Sequence, residues 1–446
     1  MNKFFEAKSI AVVGVSRNKD KVGHIIFSQL LRGFKGEIYG INPNLNELYG
    51  NKIYKDLPSL NRKIDLVVIA IPAPLVIDII RELPSVQCKN VVIISAGFKE
   101  IGNEKLELEL KKEIEKRNIK AIGVNCLGIY DSFSGIDAIF LPSDRVHRPK
   151  KGKISFVCQS GAIGGAVLDL MASKGYGINK FISYGNATSL DETDFIDYLG
   201  KDKDTKVICV YVEGIKDGRK FLEVCKKIKK PIVILKGGLT AEGNKAALSH
   251  TGALAGDPRV YIGAFKQANL VYAESIEDLF NYARLLEKSL APKGDNIQII
   301  TNGGGFGIIS TDSIINNDLS MAELSQKTRK ELRETFPKLV IVDNPMDLIG
   351  DATDERYDIA LDRCASDKNI DVILVVLDFQ TPLLTPRIVD VISKYKDKKP
   401  VILVATGGEP TEKIKRIIES KGIVCFDYPE TAVRSIKRLV DYYNKI

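Results

Sequence analysis

Short apolar runs, each closed by a glycine or a polar turn, alternate along the chain with amphipathic stretches. Residues 8–14, K-S-I-A-V-V-G, form such a run, and an unbroken apolar run is typical of a strand covered on both faces. Helical periodicity appears near 22–33, 74–83 and 103–117, between further apolar runs at 37–41, 65–71, 90–95 and 119–124. This alternation predicts a doubly wound α/β unit built on a parallel sheet.

The same alternation begins twice more, after stretches rich in proline and mixed charge that indicate connections. The second series has strands at 153–158, 180–184, 206–212 and 231–236 and a closing helix at 275–288; the third has strands at 297–301, 371–377, 400–405 and 423–426. The sequence therefore predicts three α/β domains at 1–130, 153–290 and 291–446, with a linker at 131–152.

Composition narrows the class of protein. The 446 residues carry a formal charge of +8, and no stretch combines basic residues with interleaved aromatics, so a small anionic ligand fits better than nucleic acid. The seven cysteines are scattered without a C-x-x-C pair, which indicates neither a metal site nor a disulfide framework and favours a reducing cytoplasm. No secretory leader and no apolar run of membrane-spanning length is recognisable, so neither export nor membrane insertion is expected.

The first strand-to-helix turn, G-V-S-R-N-K-D-K-V-G at 14–23, lacks the G-x-G-x-x-G spacing of a dinucleotide site, since Gly14 and Gly23 stand nine apart. The second strand ends in I-N-P-N rather than in an acid, which argues against NAD. Three further strands end in I-P-A-P (71–74), S-A-G-F (95–98) and V-N-C-L-G (124–128), and the first turn carries the cations Arg17, Lys19 and Lys21. A nucleotide-containing cofactor with an extra phosphate suits such a groove at the carboxyl edge.

Two glycine-rich turns each open a helix in the later domains. They are C-Q-S-G-A-I-G-G at 158–165 and T-N-G-G-G-F-G at 301–307. Glycines at a helix start leave backbone N–H groups open to an anion, and the helix dipole adds partial positive charge there. Glu213, after the strand ending Y-V-E-G, is a charged side chain at the functional edge of the second sheet.

The chain holds three histidines, and His250 lies in the small-residue stretch L-S-H-T-G-A-L-A-G at 248–256. Such a loop can move and gives the imidazole little steric cover. We predict that the two glycine turns converge on one phosphate carried by His250, with Glu213 fixing the imidazole tautomer. His147 lies in the predicted linker and is interpreted as a surface residue.

The turns in this order, with Y-V-E-G, S-H-T-G-A-L-A-G, N-G-G-G-F-G and N-P-M-D, resemble the α subunits of ADP-forming acetyl-CoA synthetases, which are relatives of succinyl-CoA synthetase. The resemblance covers essentially the whole chain. It implies a CoA-binding Rossmann-like domain followed by two flavodoxin-like domains. It also implies interconversion of acyl-CoA, ADP and phosphate with free acid, CoA and ATP through an acyl phosphate and a phosphohistidine. Acetyl-CoA is the expected acyl-CoA, although the sequence does not show the acyl specificity.

The resemblance assigns roles to individual residues. His250 resembles the phosphorylated histidine and Glu213 its orienting acid, and Ser160, Gly161, Ala162 and Gly303 to Gly305 resemble the two phosphate turns. The expected CoA-binding positions are Gly14, Ser16, Arg17, Lys21, Val22, Asn42, Pro43, Ile71, Pro72, Ser95, Gly97, Asn125 and Cys126. Two positions depart from the family, since Asn44 replaces a lysine and Val124 a proline. Cys126 is interpreted as a buried small thiol rather than as a thioester-forming nucleophile.

No G-x-x-x-x-G-K-[ST] loop is present, and three α/β units account for the whole sequence. The resemblance therefore implies a separate ATP-grasp β subunit that binds ADP or ATP with Mg²⁺, in an α2β2 heterotetramer. Two alternatives of other classes stay open: a CoA-binding regulatory module without turnover, and an NAD-dependent oxidoreductase.

Overall fold

The computed structural model describes residues 1–243, 245 and 257–445. The described chain forms two compact units, Met1–Glu274 and Ser275–Ile446. The first unit contains two large sheets and the second contains one. The mixed α/β class and the largely parallel sheets that the sequence predicts are confirmed.

The first sheet has seven strands in the order β3-β4-β2-β1-β5-β6-β7 and is parallel except for the β3–β4 pair. Its central strands are rich in valine and isoleucine and are buried on both faces, as a parallel sheet covered by helices requires. The strands are β1 (Ser9–Val13), β2 (Glu37–Ile41), β3 (Glu47–Leu48), β4 (Asn51–Tyr54), β5 (Leu66–Ile69), β6 (Asn90–Ile93) and β7 (Lys120–Gly123).

Three α-helices connect these strands, and each turns an apolar face to the sheet. They are Val22–Gly33, Ala73–Glu82 and Glu104–Lys116, with short 3-10 turns at Asn2–Phe4, Pro58–Leu60, Leu83–Val86 and Lys99–Ile101. Parallel pairing brings the carboxyl ends of β1, β5, β6 and β7 to one edge. The predicted strand-end motifs therefore share that edge.

The second sheet also has seven strands, in the order β16-β15-β14-β11-β13-β8-β9. β11, β13, β14, β15 and β16 run parallel, while β8 pairs antiparallel with β13. The strands of this region are β8 (Gly128–Asp131), β9 (Ile136–Asp137), β11 (Ile154–Cys158), β13 (Lys180–Ser183), β14 (Val207–Val212), β15 (Ile232–Lys236) and β16 (Val271–Ala273), and a separate pair joins β10 (Lys150–Lys151) to β12 (Gly177–Ile178). Its described helices are Gly161–Ser173, Glu192–Lys201, Gly218–Cys225 and Pro258–Gln267.

The predicted linker 131–152 contains strand β9 and the buried ion pair of Arg148 with Asp137. The hydrophobicity pattern did not predict a strand in this segment, because a strand of two residues is too short to show a period. One continuous hydrophobic cluster includes residues of both sheets of this unit, such as Val12 of β1 and Val157 of β11. The two sheets are therefore packed into a single unit.

The second unit has a six-stranded sheet in the order β18-β17-β20-β21-β22, with β19 also paired to β17. Its strands are β17 (Asn296–Thr301), β18 (Ser320–Met321), β19 (Met346–Asp347), β20 (Val372–Val376), β21 (Val401–Val404) and β22 (Cys425–Phe426). Its helices are Ile276–Lys288, Gly304–Asn316, Gln326–Thr335, Asp354–Ser366, Ile388–Ser393, Glu409–Ser420 and Pro429–Tyr443.

Helix Ile276–Lys288 lies in this second unit, where it packs against the terminal helix Pro429–Tyr443. The sequence placed the same helix at the end of the preceding domain. The helix against which it packs, Pro429–Tyr443, lies more than a hundred residues later in the chain. Hydrophobic periodicity shows that a helix has an apolar face but not which helix covers that face. The predicted domain limits at 130, 152 and 290 stay a prediction.

Candidate functional site

A cavity of about 890 Å³ lies at the carboxyl ends of strands from both sheets of the first unit. From the first sheet it receives residues that follow β1, β5, β6 and β7, and from the second sheet residues that follow β11, β13 and β14. Ligands of open α/β sheets bind at such carboxyl edges. The lining residues on which the site depends are Gly14, Ser16, Lys21, Val22, Ile71, Pro72, Ser95, Asn125, Cys126, Gln159, Ser160, Gly161, Ala162, Asn186 and Glu213.

The first turn folds back on itself through its two glycines. A Cβ on Gly23 would lie 2.0 Å from the Gly14 carbonyl oxygen, and Gly14 itself has a φ of +97°. The two residues nine apart in sequence are therefore in contact, and no larger residue fits between this turn and the start of helix Val22–Gly33. Ser16, Lys21 and Val22 line the cavity from this turn.

Four of the predicted CoA-binding residues do not line the cavity: Arg17, Asn42, Pro43 and Gly97. Arg17 and Pro43 are exposed. Asn42 donates from Nδ2 to the Val15 carbonyl oxygen at 2.6 Å, so it supports the first turn from behind. The Gly97 amide donates to Oε1 of Glu100 at 2.6 Å. Asn42 and Gly97 thus shape the loops around the cavity.

Cys126 lines the cavity wall but is only 3% exposed, and its Sγ donates to the Ile93 carbonyl oxygen at 3.3 Å. Burial raises the pKa of the Cys126 thiol to about 12. A thiol with that pKa is protonated at neutral pH and is a poor nucleophile. The environment of Cys126 agrees with a structural thiol.

The glycine turn of the second sheet opens helix Gly161–Ser173, and Ser160 is its N-cap. The Ser160 hydroxyl accepts from the Ile163 amide at 3.4 Å. The amides of Gly161 and Ala162 precede the first intrahelical hydrogen bond, and both residues line the cavity. This helix start therefore offers an anion two backbone N–H groups and the positive end of the dipole.

Glu213 follows β14 and lines the same cavity. Oε1 of Gln159 accepts from the backbone amides of Glu213 at 2.7 Å and of Gly214 at 3.3 Å. The Tyr211 hydroxyl donates to Oε1 of Glu213 at 3.5 Å. The structure thus brings Glu213 and the Gly161 helix start to one cavity and fixes the turn that carries the carboxylate.

Three polar residues of this region were missed by the sequence analysis: Gln159, Asn186 and Lys236. Gln159 directly precedes the Ser160 turn, and a polar residue between a buried strand and a glycine turn was a usable signal. Lys236 ends β15 and is buried, and its Nζ donates to the carbonyl oxygens of Glu213, at 2.8 Å, and Gly237. Burial lowers the pKa of Lys236, while the nearby Glu213 carboxylate opposes that shift.

His250 and its neighbours at 246–256 lie outside the described residues. The other two histidines are described. His24 is buried and shares hydrogen bonds with the Ser16 carbonyl oxygen at 2.7 Å and the Tyr49 hydroxyl at 2.9 Å. His147 is exposed and lies 3.1 Å from Asp169, so its interpretation as a surface residue agrees with the structure.

The glycine turn of the second unit links β17 to helix Gly304–Asn316, with Gly303 as N-cap. A Cβ on Gly304 would lie 2.8 Å from Oδ2 of Asp347, so an acid of the N-P-M-D motif stands beside this helix start. Gly305 has open space around its Cβ position. The predicted convergence of the two glycine turns on one phosphate stays a prediction.

Among the described residues, no helix is long and apolar enough to cross a membrane.

Comparison with known families divides the chain into three matched regions. Residues 8–132 match a CoA binding domain, residues 151–286 a succinyl-CoA ligase like flavodoxin domain, and residues 297–440 a ligase-CoA domain. The fold, the CoA-binding domain and the strand-end cavity together define a protein of the CoA-ligase class.

Full-length relatives make the assignment more specific. The chain is 35% identical to the alpha subunit of acetate–CoA ligase [ADP-forming] II from Pyrococcus furiosus, covering 99% of this chain and 97% of that one. It is 38% identical to acetate–CoA ligase [ADP-forming] I from Archaeoglobus fulgidus, over all of this chain but only 64% of the relative. Acetyl-coenzyme A synthetase 1 of Ca. Korarchaeum cryptofilum, solved with phosphate and ADP, superposes with a TM-score of 0.92 at 34% identity, covering 98% of this chain and 95% of that one.

The chain belongs to the family of the ADP-forming acetate–CoA ligases. The resemblance read from the motifs is confirmed. The order of domains implied by that resemblance is confirmed as well.

Proposed function

We propose that this chain is the CoA-binding and phosphohistidine-bearing part of an ADP-forming acyl-CoA synthetase, with acetyl-CoA as the expected substrate. The observation that carries the proposal is the cavity itself. It joins the CoA-type strand ends of the first sheet to the Gly161 helix start and Glu213 of the second. A thioester, an inorganic phosphate and an orienting carboxylate can therefore meet in one space.

The first step transfers the acyl group to phosphate. A phosphate oxygen attacks the thioester carbonyl, the C–S bond breaks, and CoA leaves as a thiolate that is then protonated. The amides of Gly161 and Ala162 hold the phosphate, which reduces its charge repulsion with the developing oxyanion. Positioning of two bound reactants supplies a further part of the rate.

The second step moves the phosphoryl group. A neutral ring nitrogen of His250 attacks the acyl phosphate, the P–O bond to the acyl group breaks, and the carboxylic acid leaves as its anion. Glu213 accepts a hydrogen bond from the other ring nitrogen, which fixes the tautomer and stabilises the charge that develops on the ring. The phosphohistidine then passes its phosphoryl group to ADP.

The nucleotide and its Mg²⁺ are assigned to an ATP-grasp β partner in an α2β2 heterotetramer. Support comes from the Pyrococcus furiosus relative, which carries the name of an alpha subunit and matches this chain over nearly its full length. We expect ATP formation from ADP only after the β partner is added, and robust synthesis by this chain alone would contradict the division of labour.

Labelling tests the phosphohistidine. The purified chain is incubated with acetyl-CoA and radiolabelled phosphate, and the label should become attached in an acid-labile, base-stable form. His250→Ala should abolish labelling, whereas His147→Ala, which changes an exposed histidine, should not. Label that survives His250→Ala would overturn the proposal.

The two alternatives have less support. An NAD site needs an acceptor for the ribose hydroxyls after the second strand, and there Asn42 donates its amide to the Val15 carbonyl instead. A regulatory CoA module needs no acid at the cavity, yet Glu213 lines it. Thermal shifts with CoA and with NAD separate the oxidoreductase from the ligase.

A further inference from the structure

Asn186 lines the cavity, and it lies outside the motifs identified in the sequence. It follows β13, and its side chain reaches back to the first sheet's loops. Nδ2 of Asn186 donates to Oε2 of Glu100 at 2.7 Å and to Oε2 of Glu107 at 2.9 Å. Both hydrogens of the amide are therefore used.

The two carboxylates are held in place by other donors. The amides of Gly97, at 2.6 Å, and Phe98, at 3.1 Å, donate to Glu100. The Thr188 hydroxyl, at 3.1 Å, and the Lys99 amide, at 3.2 Å, donate to Glu107. Burial by itself would raise the pKa of Glu100, but the hydrogen bonds from Gly97, Asn186 and Phe98 outweigh burial and hold the pKa below its usual value.

The NH2 group of Asn186 faces Glu100 and Glu107, because carboxylate oxygens accept both of its hydrogen bonds. Its Oδ1 then faces Asn125, whose Nδ2 donates to it at 3.3 Å. The backbone of the Asn186 turn is fixed as well, since the Lys216 ammonium donates to the carbonyl oxygens of Asn186, at 3.1 Å, and Ala187, at 2.7 Å. The two carboxylates thus fix the orientation of the Asn186 amide, and Asn186 in turn fixes the orientation of the Asn125 amide.

Asn125 also lines the cavity, directly before Cys126. Because its NH2 group is turned to Asn186, its Oδ1 is the atom of that amide left for a ligand, and none of the described residues donates to it. A carbonyl oxygen in that position selects a hydrogen-bond donor. The pantetheine arm of CoA carries such donors in its two amide N–H groups, its pantoyl hydroxyl and its thiol.

We propose that Asn186 is a positioning residue that, held by Glu100 and Glu107, orients Asn125 so that its Oδ1 accepts a hydrogen bond from the pantetheine arm of CoA. This inference rests on the proposed function for the identity of the ligand. Asn186, which follows a strand of the second sheet, and Glu100 and Glu107 from the first domain together make the cavity prefer CoA over its nucleotide half.

Binding measured by titration calorimetry tests the inference without any partner protein. The ligands are CoA and 3′-phospho-ADP, which has the nucleotide half of CoA but no pantetheine. Asn186→Leu removes the orienting amide and should weaken CoA binding about tenfold, the scale of one lost hydrogen bond with an unsatisfied partner. Binding of 3′-phospho-ADP should change less than about twofold, because no hydrogen bond to the nucleotide half is altered.

A conservative pair of variants guards against misfolding. Glu107→Met keeps the length of the side chain but removes the acceptor of Asn186, and should weaken CoA binding in the same direction. Glu109→Met, on the same helix Glu104–Lys116 but in an exposed ion pair with Arg81, should have no effect. Desulfo-CoA narrows the donor: an unchanged loss in Asn186→Leu indicates an amide N–H or the pantoyl hydroxyl, and a vanished loss indicates the thiol.

The inference would be overturned if the binding of CoA and of 3′-phospho-ADP weakened equally in the Asn186 and Glu107 variants. It would also be overturned if CoA binding stayed unchanged in both variants, or if the wild-type chain did not bind CoA. Wild-type CoA binding that is lost on Asn186→Leu, in a chain whose His250 takes no label, would leave the inference intact and remove only the proposed reaction.

Discussion

The ammonium group of Lys236 donates a hydrogen bond to the backbone carbonyl oxygen of Glu213 across 2.8 Å. Glu213 follows β14 and Lys236 ends β15, which are neighbouring parallel strands. The same ammonium group lies 4.8 Å from the ring centroid of Tyr261, in helix Pro258–Gln267. Lys236 thus connects the turn of the proposed orienting acid to described residues on both sides of 246–256.

Replacing Lys236 with methionine should destabilise the first unit. The substitution keeps an apolar stem but leaves the carbonyl oxygens of Glu213 and Gly237 without their donor, which costs about 1–3 kcal/mol. We expect this loss in the free energy of unfolding measured with urea. Lys266→Met, at an exposed position of helix Pro258–Gln267, is the matched control and should change it little. Equal stability of the two variants would show that the Lys236 contacts contribute nothing.

Glu213→Gln should separate catalysis from CoA binding. The glutamine keeps the shape of the side chain but not its charge, so phosphorylation of His250 should slow by about 10²-fold. CoA affinity should stay nearly unchanged. Single-turnover labelling and calorimetry measure the two effects, with the exposed Glu223→Gln as control. A parallel loss of CoA affinity would mean that Glu213 is structural.

Gly23→Ala should disrupt the first turn. The added methyl group would lie 2.0 Å from the Gly14 carbonyl oxygen, so the helix start has to move, at a cost of about 1–3 kcal/mol, and CoA binding should weaken. Gly263→Ala provides the contrast, because no atom lies within 4 Å of its Cβ position and it sits inside a helix. That variant should be neutral or more stable by up to about 1 kcal/mol. Thermal unfolding and CoA titration of both proteins check the prediction.

Cys126 should make stability depend on alkaline pH. Burial raises the pKa of this thiol to about 12 from its ordinary value of 9.0, so above pH 9 the unfolded chain loses the proton first. Stability should therefore fall between pH 9 and about 12, by up to about 1.4 kcal/mol per pH unit for this thiol. Cys126→Ala should show a shallower slope between pH 9 and 11 than the wild type while still accepting label from phosphate. An identical slope would contradict the burial of the thiol, and lost labelling would restore a catalytic role for it.

Local sequence was enough to define the fold class and most of the cavity wall. An unbroken apolar run such as 9–13 indicates a strand buried on both faces, and the glycine or serine after it indicates a turn. Both signals can be recognised from the sequence because each lies within a few neighbouring residues. Gly14, Ser95, Asn125, Gly161 and Glu213 follow such strands, and parallel pairing is sufficient to bring them to one edge.

Tertiary structure decided what these residues touch. Three contacts join segments that the hydrophobic pattern does not connect. They are the contact of Gly23 with Gly14, the hydrogen bonds of Asn186 with Glu100 and Glu107, and the hydrogen bond of Lys236 with Glu213. Asn186 and Lys236 therefore looked like ordinary turn and strand-end residues in the sequence. Arg17 is exposed and is not among the residues that line the cavity, so its predicted contact with a CoA phosphate stays a prediction. Sequence determines which local elements form, because propensity and burial pattern are short-range; the partners of a polar side chain are fixed only when strands distant in the chain are packed together.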